Sequence, residues 1–314
     1  MAKLFGMQRR KFLQKGALAG SALLVSAAAK ASNRKVDPGM AIGQPFHLNY
    51  GIHDGMFQQQ AGKDFLDQIK FAYDMGFRAI EDNGMTRRPA AEQEKIGNQL
   101  AKLGMAMGVF VHGFDNWPVK TSLCSGSMEW REKFLQYSKS AIDTAKRCNG
   151  RLITVVPGNY DRNLPMGYQT ANVIESLRMA AEILEPQKLV MVLEPLSDTP
   201  DLFLRHPDQT FAICKAIKSP ACKILFDMYH MQRNEGDLIE NINRAWDEIE
   251  YFQIGDNPGR KEPTTGEMNY KNIFKHIYQK GYRGILGMEH GTSLPGKEGE
   301  MRLIQAYREC DDFL

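Results

Sequence analysis

Four polar side chains close apolar runs in the second half of the chain, and each brings an oxygen. Glu194 ends Val190-Met191-Val192-Leu193-Glu194, Asp227 ends Ile224-Leu225-Phe226-Asp227, Gln253 sits in Tyr251-Phe252-Gln253-Ile254, and Glu289 ends Ile285-Leu286-Gly287-Met288-Glu289. A carboxylate buried at a strand end without a partner costs several kcal/mol, so a cluster of them implies partners or a cation. Three carboxylates and one amide oxygen make a hard site suited to one divalent cation, Mg²⁺ or Mn²⁺. Open coordination positions on that ion could chelate a hydroxy-carbonyl substrate. The competing reading is that each acid caps a helix or pairs with an arginine at the rim of the fold.

Those side chains act together only if the chain brings their strands together. From Pro45 onward, short β-rich runs alternate with longer amphipathic patterns, the rhythm of repeated βα units. The predicted strands are Phe46–Tyr50, Phe77–Asp82, Met105–His112, Leu152–Pro157, Leu189–Glu194, Lys223–Asp227, Tyr251–Gly255 and Gly284–Glu289. The predicted helices are Asp64–Met75, Ala91–Leu103, Glu129–Arg147, Thr170–Leu184, Asp208–Ile217, Leu238–Ile249, Tyr270–Lys280 and Met301–Phe313. Gly76, Gly104 and Gly281 follow helix ends, where a left-handed cap is expected. Eight units in about 270 residues predict an α/β fold, a single (β/α)8 TIM barrel over residues 45–314. An open doubly wound sheet would want a GxGxxG loop after its first strand, and Asn49–Gly55 lacks it. In a barrel, the C-terminal strand ends converge on one face. The four oxygen donors would then sit on consecutive strands five to eight. His47, Asn49, His53, Glu81, His112 and Asn159, at or near earlier strand ends, are candidates to shape the same pocket. Trp117 is a candidate to stack on a sugar ring or to serve in a lid or the core.

With Leu193-Glu194-Pro195-Leu196, Phe226-Asp227-Met228-Tyr229-His230 and Gly255-Asp256-Asn257-Pro258-Gly259-Arg260 among their motifs, residues 188–290 resemble the hydroxypyruvate isomerase family within the xylose isomerase-like TIM barrels. The resemblance rests on Leu193-Glu194-Pro195-Leu196, Phe226-Asp227-Met228-Tyr229-His230-Met231-Gln232 and Glu235-Gly236-Asp237-Leu238. It continues through Phe252-Gln253-Ile254-Gly255-Asp256-Asn257-Pro258-Gly259-Arg260, Glu262-Pro263, Thr265-Gly266-Glu267-Met268-Asn269-Tyr270 and Gly287-Met288-Glu289. It implies that Glu194, Asp227, Gln253 and Glu289 hold the metal and that Glu194 and Glu289 also form the acid/base pair. It further implies that His230 polarises a substrate oxygen, and that Arg260 holds the distal end of the substrate or orders the loop around it. The reaction expected is isomerisation or epimerisation through an enediolate. A Lewis acid would chelate both oxygens while a carboxylate takes the carbon-bound proton and an acid returns it.

The first residues of the chain have a different character. Arg9-Arg10-Lys11-Phe12-Leu13 precedes an uncharged run from Gly16 to Ala29 and the small-residue site Ala29-Lys30-Ala31. That order is expected of a twin-arginine-type signal peptide, residues 1–31, followed by a mature N-terminal extension, residues 32–44. The run is too short to span a bilayer stably. A partnership with the twin-arginine export machinery, a periplasmic location and no stable membrane anchor follow as expectations. Removing the six cations of this segment, which holds no anion, takes the formal charge from +3 to −3. No basic stripe remains to suggest nucleic-acid binding. Five cysteines without CxxC or zinc spacing argue against a disulfide framework or a zinc centre.

The substrate expected is thus a small carbohydrate-like hydroxy-carbonyl compound; an exported member would meet a free sugar, an oxidised sugar or a sugar acid. The alternative is a metal-dependent lyase cleaving keto-glycosides by β-elimination, since its first half is the same proton removal. A non-catalytic sugar-binding barrel is a third reading.

Overall fold

The computed structural model describes residues 43–113 and 121–314. Residues 1–31, most of 32–44 and Trp117 lie outside the described residues. Nine parallel strands follow one another: β1 (Asn49–Ile52), β2 (Ala79–Ile80), β3 (Ala106–Met107), β4 (Val109–Val111), β5 (Leu152–Val155), β6 (Val190–Leu193), β7 (Cys222–Asp227), β8 (Ile249–Gln253) and β9 (Ile285–Gly287). Their order in the sheet is β3-β2-β1-β9-β8-β7-β6-β5-β4. β3 pairs with β2 and β4 with β5, and only Gly108 separates β3 from β4. They are two halves of one stave, so the sheet wraps into a barrel of eight staves, as the alternation of strands and helices predicts. A Cβ at Gly108 would lie 2.5 Å from the Tyr251 hydroxyl, which is why the stave turns at a glycine.

Helices Phe65–Asp74, Ala90–Leu103, Met128–Cys148, Met166–Leu184, Pro207–Ile217, Leu238–Ala245, Tyr270–Gln279 and Gly296–Asp311 follow the successive staves. Local chemistry fixes several ends. The Asp64 carboxylate accepts from the Leu66 amide and the Ser127 hydroxyl from that of Trp130, each satisfying a first-turn donor. Gly104 closes its helix at φ 64°, with nothing within 4 Å of where a Cβ would stand, so its requirement is conformational. Among the described residues no helix is long and apolar enough to cross a membrane. All five cysteines are buried and free.

The core has two compartments, and their parity positions the site. Val109, Leu152, Val190, Val192, Leu225 and Tyr251, joined by Ile285, pack together inside the barrel. Ile80, Phe110, Ile153, Met191, Leu193, Phe226, Phe252, Leu286 and Met288 belong to the larger cluster outside it. Side chains alternate faces along a strand. Counting on from Val192, Leu225, Tyr251 and Ile285 places Glu194, Asp227, Gln253, Gly287 and Glu289 on the inward face. Ile80 faces outward, so the next residue, Glu81, turns inward.

Three expectations need correction. The first strand runs Asn49–Ile52, not Phe46–Tyr50. His47 and Asn49 therefore belong to the entry end of the barrel rather than the site. There His47 Nδ1 meets the Asp311 carboxylate at 3.0 Å, and Asn49 Nδ2 donates to the Arg283 carbonyl. The last helix begins at Gly296, a turn and a half before Met301. A short helix, Met228–Asn234, absent from the predicted helices, follows Asp227.

Candidate active site

Asp227 is the last residue of β7 and is fully buried. Its Oδ1 accepts from the Tyr229 amide at 2.8 Å, which caps helix Met228–Asn234. Its Oδ2 lies 3.1 Å from Arg260 Nη2 and 3.5 Å from His230 Nε2. One oxygen thus does what the structural reading of these acids expects, and the other faces the site.

The cap also aims His230. One turn into the helix, His230 is buried, with Nδ1 accepting from the Ser197 amide at 3.2 Å and lying 2.8 Å from the Ser197 hydroxyl. A backbone amide only donates, so Nδ1 carries the lone pair and the proton of the neutral ring sits on Nε2. Burial holds this imidazole below its usual pKa, against the pull of Asp227. Nε2 has no hydrogen-bond partner among the described residues. Glu194, Asp227 and His230 each offer an atom within 4.8 Å of the others, a spacing compatible with an ion. The tautomer argues for a different part for His230, because an Nε2–H donates to an oxygen and does not ligate a metal.

Glu194 follows β6 directly and is 7% exposed. Burial raises its pKa well above the usual carboxylate value, helped by repulsion from Glu289 and Asp227. Glu289 stands two residues past β9 with 28% of its side chain exposed. Burial lifts it to about 8, against the pull of Arg260. Its Oε1 accepts from Asn83 Nδ2 at 3.0 Å and its Oε2 from Arg260 Nη2 at 2.8 Å. Arg260 therefore bridges Asp227 and Glu289, with its guanidinium 4.8 Å from the centre of the Tyr229 ring. Its backbone, at φ 49°, is pinned because its amide donates to the Asp256 carbonyl and its carbonyl accepts from the Gly291 amide. The Asp256 carboxylate holds the rest of that loop by accepting from the amides of Thr265, Gly266 and Met268.

Gln253 ends β8, buried to 1% exposure. Its Nε2 donates to Glu81 Oε2 at 3.3 Å, and its Oε1 has no hydrogen-bond partner among the described residues. The same Glu81 oxygen accepts from the Tyr251 hydroxyl at 3.0 Å. Burial lifts Glu81 to about 7, against the donors Tyr251 and Gln253. A Cβ at Gly287 would fall 1.8 Å from Glu81 Oε2, so the carboxylate occupies the space that glycine leaves.

Four carboxylates, Glu81, Glu194, Asp227 and Glu289, thus gather around one guanidinium in a largely buried site. A buried amide oxygen without a partner, and carboxyl groups raised by burial and by one another, are what a divalent cation would relieve. The donor set, all oxygen, fits Mg²⁺ or Mn²⁺.

A cavity of about 520 Å³ opens over the site, lined by Glu194, His230, Arg260 and Glu289 on one side and by Thr86, Val111, Thr154 and Val156 among others. Of the earlier candidates, His112 lines this cavity, but its Nε2 bonds the Ser138 hydroxyl. His53 Nε2 lies 3.3 Å from the His290 carbonyl, and Asn159 pairs in an isolated bridge with Leu202. Sequence reasoning missed Asn83, Ser197 and Tyr251. Strand parity carried the signal for Tyr251, two residues before Gln253. Ser197 and Asn83 sit in loops, where no periodicity reports direction.

Residues 69–310 match the family model of the xylose isomerase-like TIM barrels. The chain is 32% identical over 254 residues to hydroxypyruvate isomerase of Escherichia coli (strain K12), a match covering 78% of this chain and 94% of that protein. It is 29% identical to the 2-oxo-tetronate isomerase of Cupriavidus necator, covering 73% and 89% of the two chains. Among solved structures, the Escherichia coli 3-keto-D-glucoside 4-epimerase shares the fold at a TM-score of 0.70 and 16% identity, over 84% of this chain and 98% of that one. Fold, site and sequence agree: the chain belongs to the xylose isomerase-like TIM barrels, and within them to the hydroxypyruvate isomerase family.

Proposed function

We propose that this protein is a divalent-metal-dependent isomerase of a small hydroxy-carbonyl substrate, of the keto-sugar or hydroxypyruvate kind. The observation that carries the reading is the inward convergence of Glu194, Asp227, Gln253 and Glu289 from consecutive staves, with the Gln253 oxygen unpartnered. The names of the relatives, hydroxypyruvate isomerase and 2-oxo-tetronate isomerase, support the same class.

A cation held by these four residues would polarise the carbonyl as a Lewis acid. The chain's own groups do the rest. Glu194 and Glu289, both turned into the site and close enough to repel, suit the acid/base pair of the reaction, one entering it ionised and the other carrying a proton. One takes the proton from the carbon beside the carbonyl and the other returns a proton to the neighbouring atom. His230 presents Nε2–H to a substrate oxygen, and Arg260 keeps Glu289 in place while balancing its charge. Arg9-Arg10 and the run to Ala31 support export before the enzyme works, and Edman sequencing of secreted protein starting at Ser32 would test it.

The test is product analysis by NMR and mass spectrometry, with Mn²⁺ or Mg²⁺ and a panel of hydroxypyruvate, ketoses and 3-keto-glycosides. One product of unchanged mass is expected; two fragments would replace the isomerase by the lyase reading. His230→Ala should lower kcat/KM by about 100-fold, the usual cost of one donor aimed at a developing oxyanion. Mn²⁺ affinity, read by electron paramagnetic resonance, should stay unchanged. A parallel loss of Mn²⁺ would make His230 a ligand instead.

A further inference from the structure

Behind the proposed ligands lies a buried carboxylate that the reaction does not require. Glu81 projects inward from the end of β2 at 1% exposure. One of its oxygens takes two hydrogen bonds, from the Tyr251 hydroxyl and from Gln253 Nε2. Both donors come from β8, two residues apart and therefore on one face. The barrel makes room for the group by omitting side chains. A Cβ at Gly287 would lie 1.8 Å from Glu81 Oε2 and 2.8 Å from the Tyr251 hydroxyl, and one at Gly108 would lie 2.5 Å from that hydroxyl.

An amide has two ends, and only its oxygen can hold a hard cation. Free in its pocket, Gln253 could present either end. A carboxylate beside it accepts hydrogen bonds and repels oxygen, so the amide nitrogen must face Glu81 and the oxygen must face away. Gln253 Oε1 is indeed buried without a hydrogen-bond partner among the described residues, as is the second Glu81 oxygen, Oε1, on the side away from the two donors. Tyr251 in turn fixes the carboxylate, because its ring packs in the apolar layer with Val190, Val192 and Leu225 while its hydroxyl donates to Glu81 Oε2.

We propose that Glu81 is a positioning residue: from the end of β2, and locked by Tyr251, it turns the Gln253 amide so that Oε1 serves as a metal ligand. This rests on the metal-site reading given above and adds to it a residue that touches neither ion nor substrate. Groups that orient ligands in this way typically contribute about 10- to 100-fold in metal affinity.

The experiment is a double-mutant cycle on Mn²⁺ binding, read by electron paramagnetic resonance of the free ion in the full-length protein without substrate. Glu81→Leu should weaken Mn²⁺ binding by about 10-fold or more. Glu81→Gln keeps an acceptor oxygen for both donors and should stay within about 3-fold of wild type. In a Gln253→Ala background, Glu81→Leu should cost less than about 2-fold, because the residue through which it acts is gone. A general loss of packing would lower affinity equally in both backgrounds, and that result would overturn the proposal. So would unchanged affinity in a folded Glu81→Leu protein. If that variant fails to fold, the proposal stands on Glu81→Ala in the same two backgrounds. Wild type that binds no Mn²⁺ would instead overturn the metal site itself, and this assignment with it.

Discussion

Glu194→Gln should lower kcat by about a thousandfold at saturating metal while leaving KM within a few fold, as expected when a positioned acid/base is lost. The substitution keeps the shape and an oxygen for the cation but removes the ability to take a proton. Glu194 is suited to that task by its place. It leaves β6 on the inward face, burial raises its carboxyl, and the negative charges of Glu289 and Asp227 raise it further. Mn²⁺ titration of the variant separates the two roles. Retained binding with lost turnover marks an acid/base, and lost binding marks a ligand. Turnover near the wild-type rate would remove Glu194 from the chemistry.

Removing metal should destabilise the fold, and by more at pH 8 than at pH 5. In the metal-free protein the Glu289 carboxyl is raised to about 8 and that of Glu194 well above normal, so the folded state holds protons that the unfolded chain releases near pH 4.5. A group whose folded pKa is raised contributes stability that is lost as pH climbs from its unfolded value through its folded value. The metal-free Tm should therefore fall between pH 5 and pH 8. A bound cation replaces those protons and binds more tightly as they leave. At a hundred times its Kd it adds about 2.7 kcal/mol, which in a chain of this size raises Tm by about 4–5 °C. Differential scanning calorimetry with and without Mn²⁺ at the two pH values measures both effects. A gain equal at the two pH values would mean that the ion binds away from these carboxylates.

How legible was all this in the sequence? The barrel was, because alternating patterns and glycine stops report βα units directly. The inward direction of Glu194, Asp227, Gln253 and Glu289 was too, since each ends or follows an apolar strand whose parity is fixed by its neighbours. β2 was harder. Only Ala79 and Ile80 are in the strand, too few for a period, so the sequence singles out Glu81 no further than as one of six candidates to shape the pocket. Its partner Tyr251 packs in the core, with its hydroxyl alone reaching the polar layer. The helix that carries His230 escapes the sequence pattern because Met228–Asn234 is short and starts directly at the strand end, with Asp227 as its cap. The Ser197 contact that sets its tautomer joins residues 33 positions apart, beyond any local pattern. His47 and Asn49 mislead because Phe46 and Leu48, which belong to the larger core cluster, mimic strand alternation ahead of the strand itself.

The central claim is that this site moves a proton beside a carbonyl, and turnover in D₂O tests it most directly. The metal-loaded protein is incubated with each substrate it converts, and NMR locates solvent deuterium in substrate and product. The account predicts deuterium at the carbon next to the carbonyl, dependent on added Mn²⁺ or Mg²⁺ and abolished in Glu194→Gln and Glu289→Gln. Full turnover with no solvent deuterium at that carbon would show that the hydrogen removed is the hydrogen returned, and would contradict an account in which one carboxyl takes a proton and another supplies one.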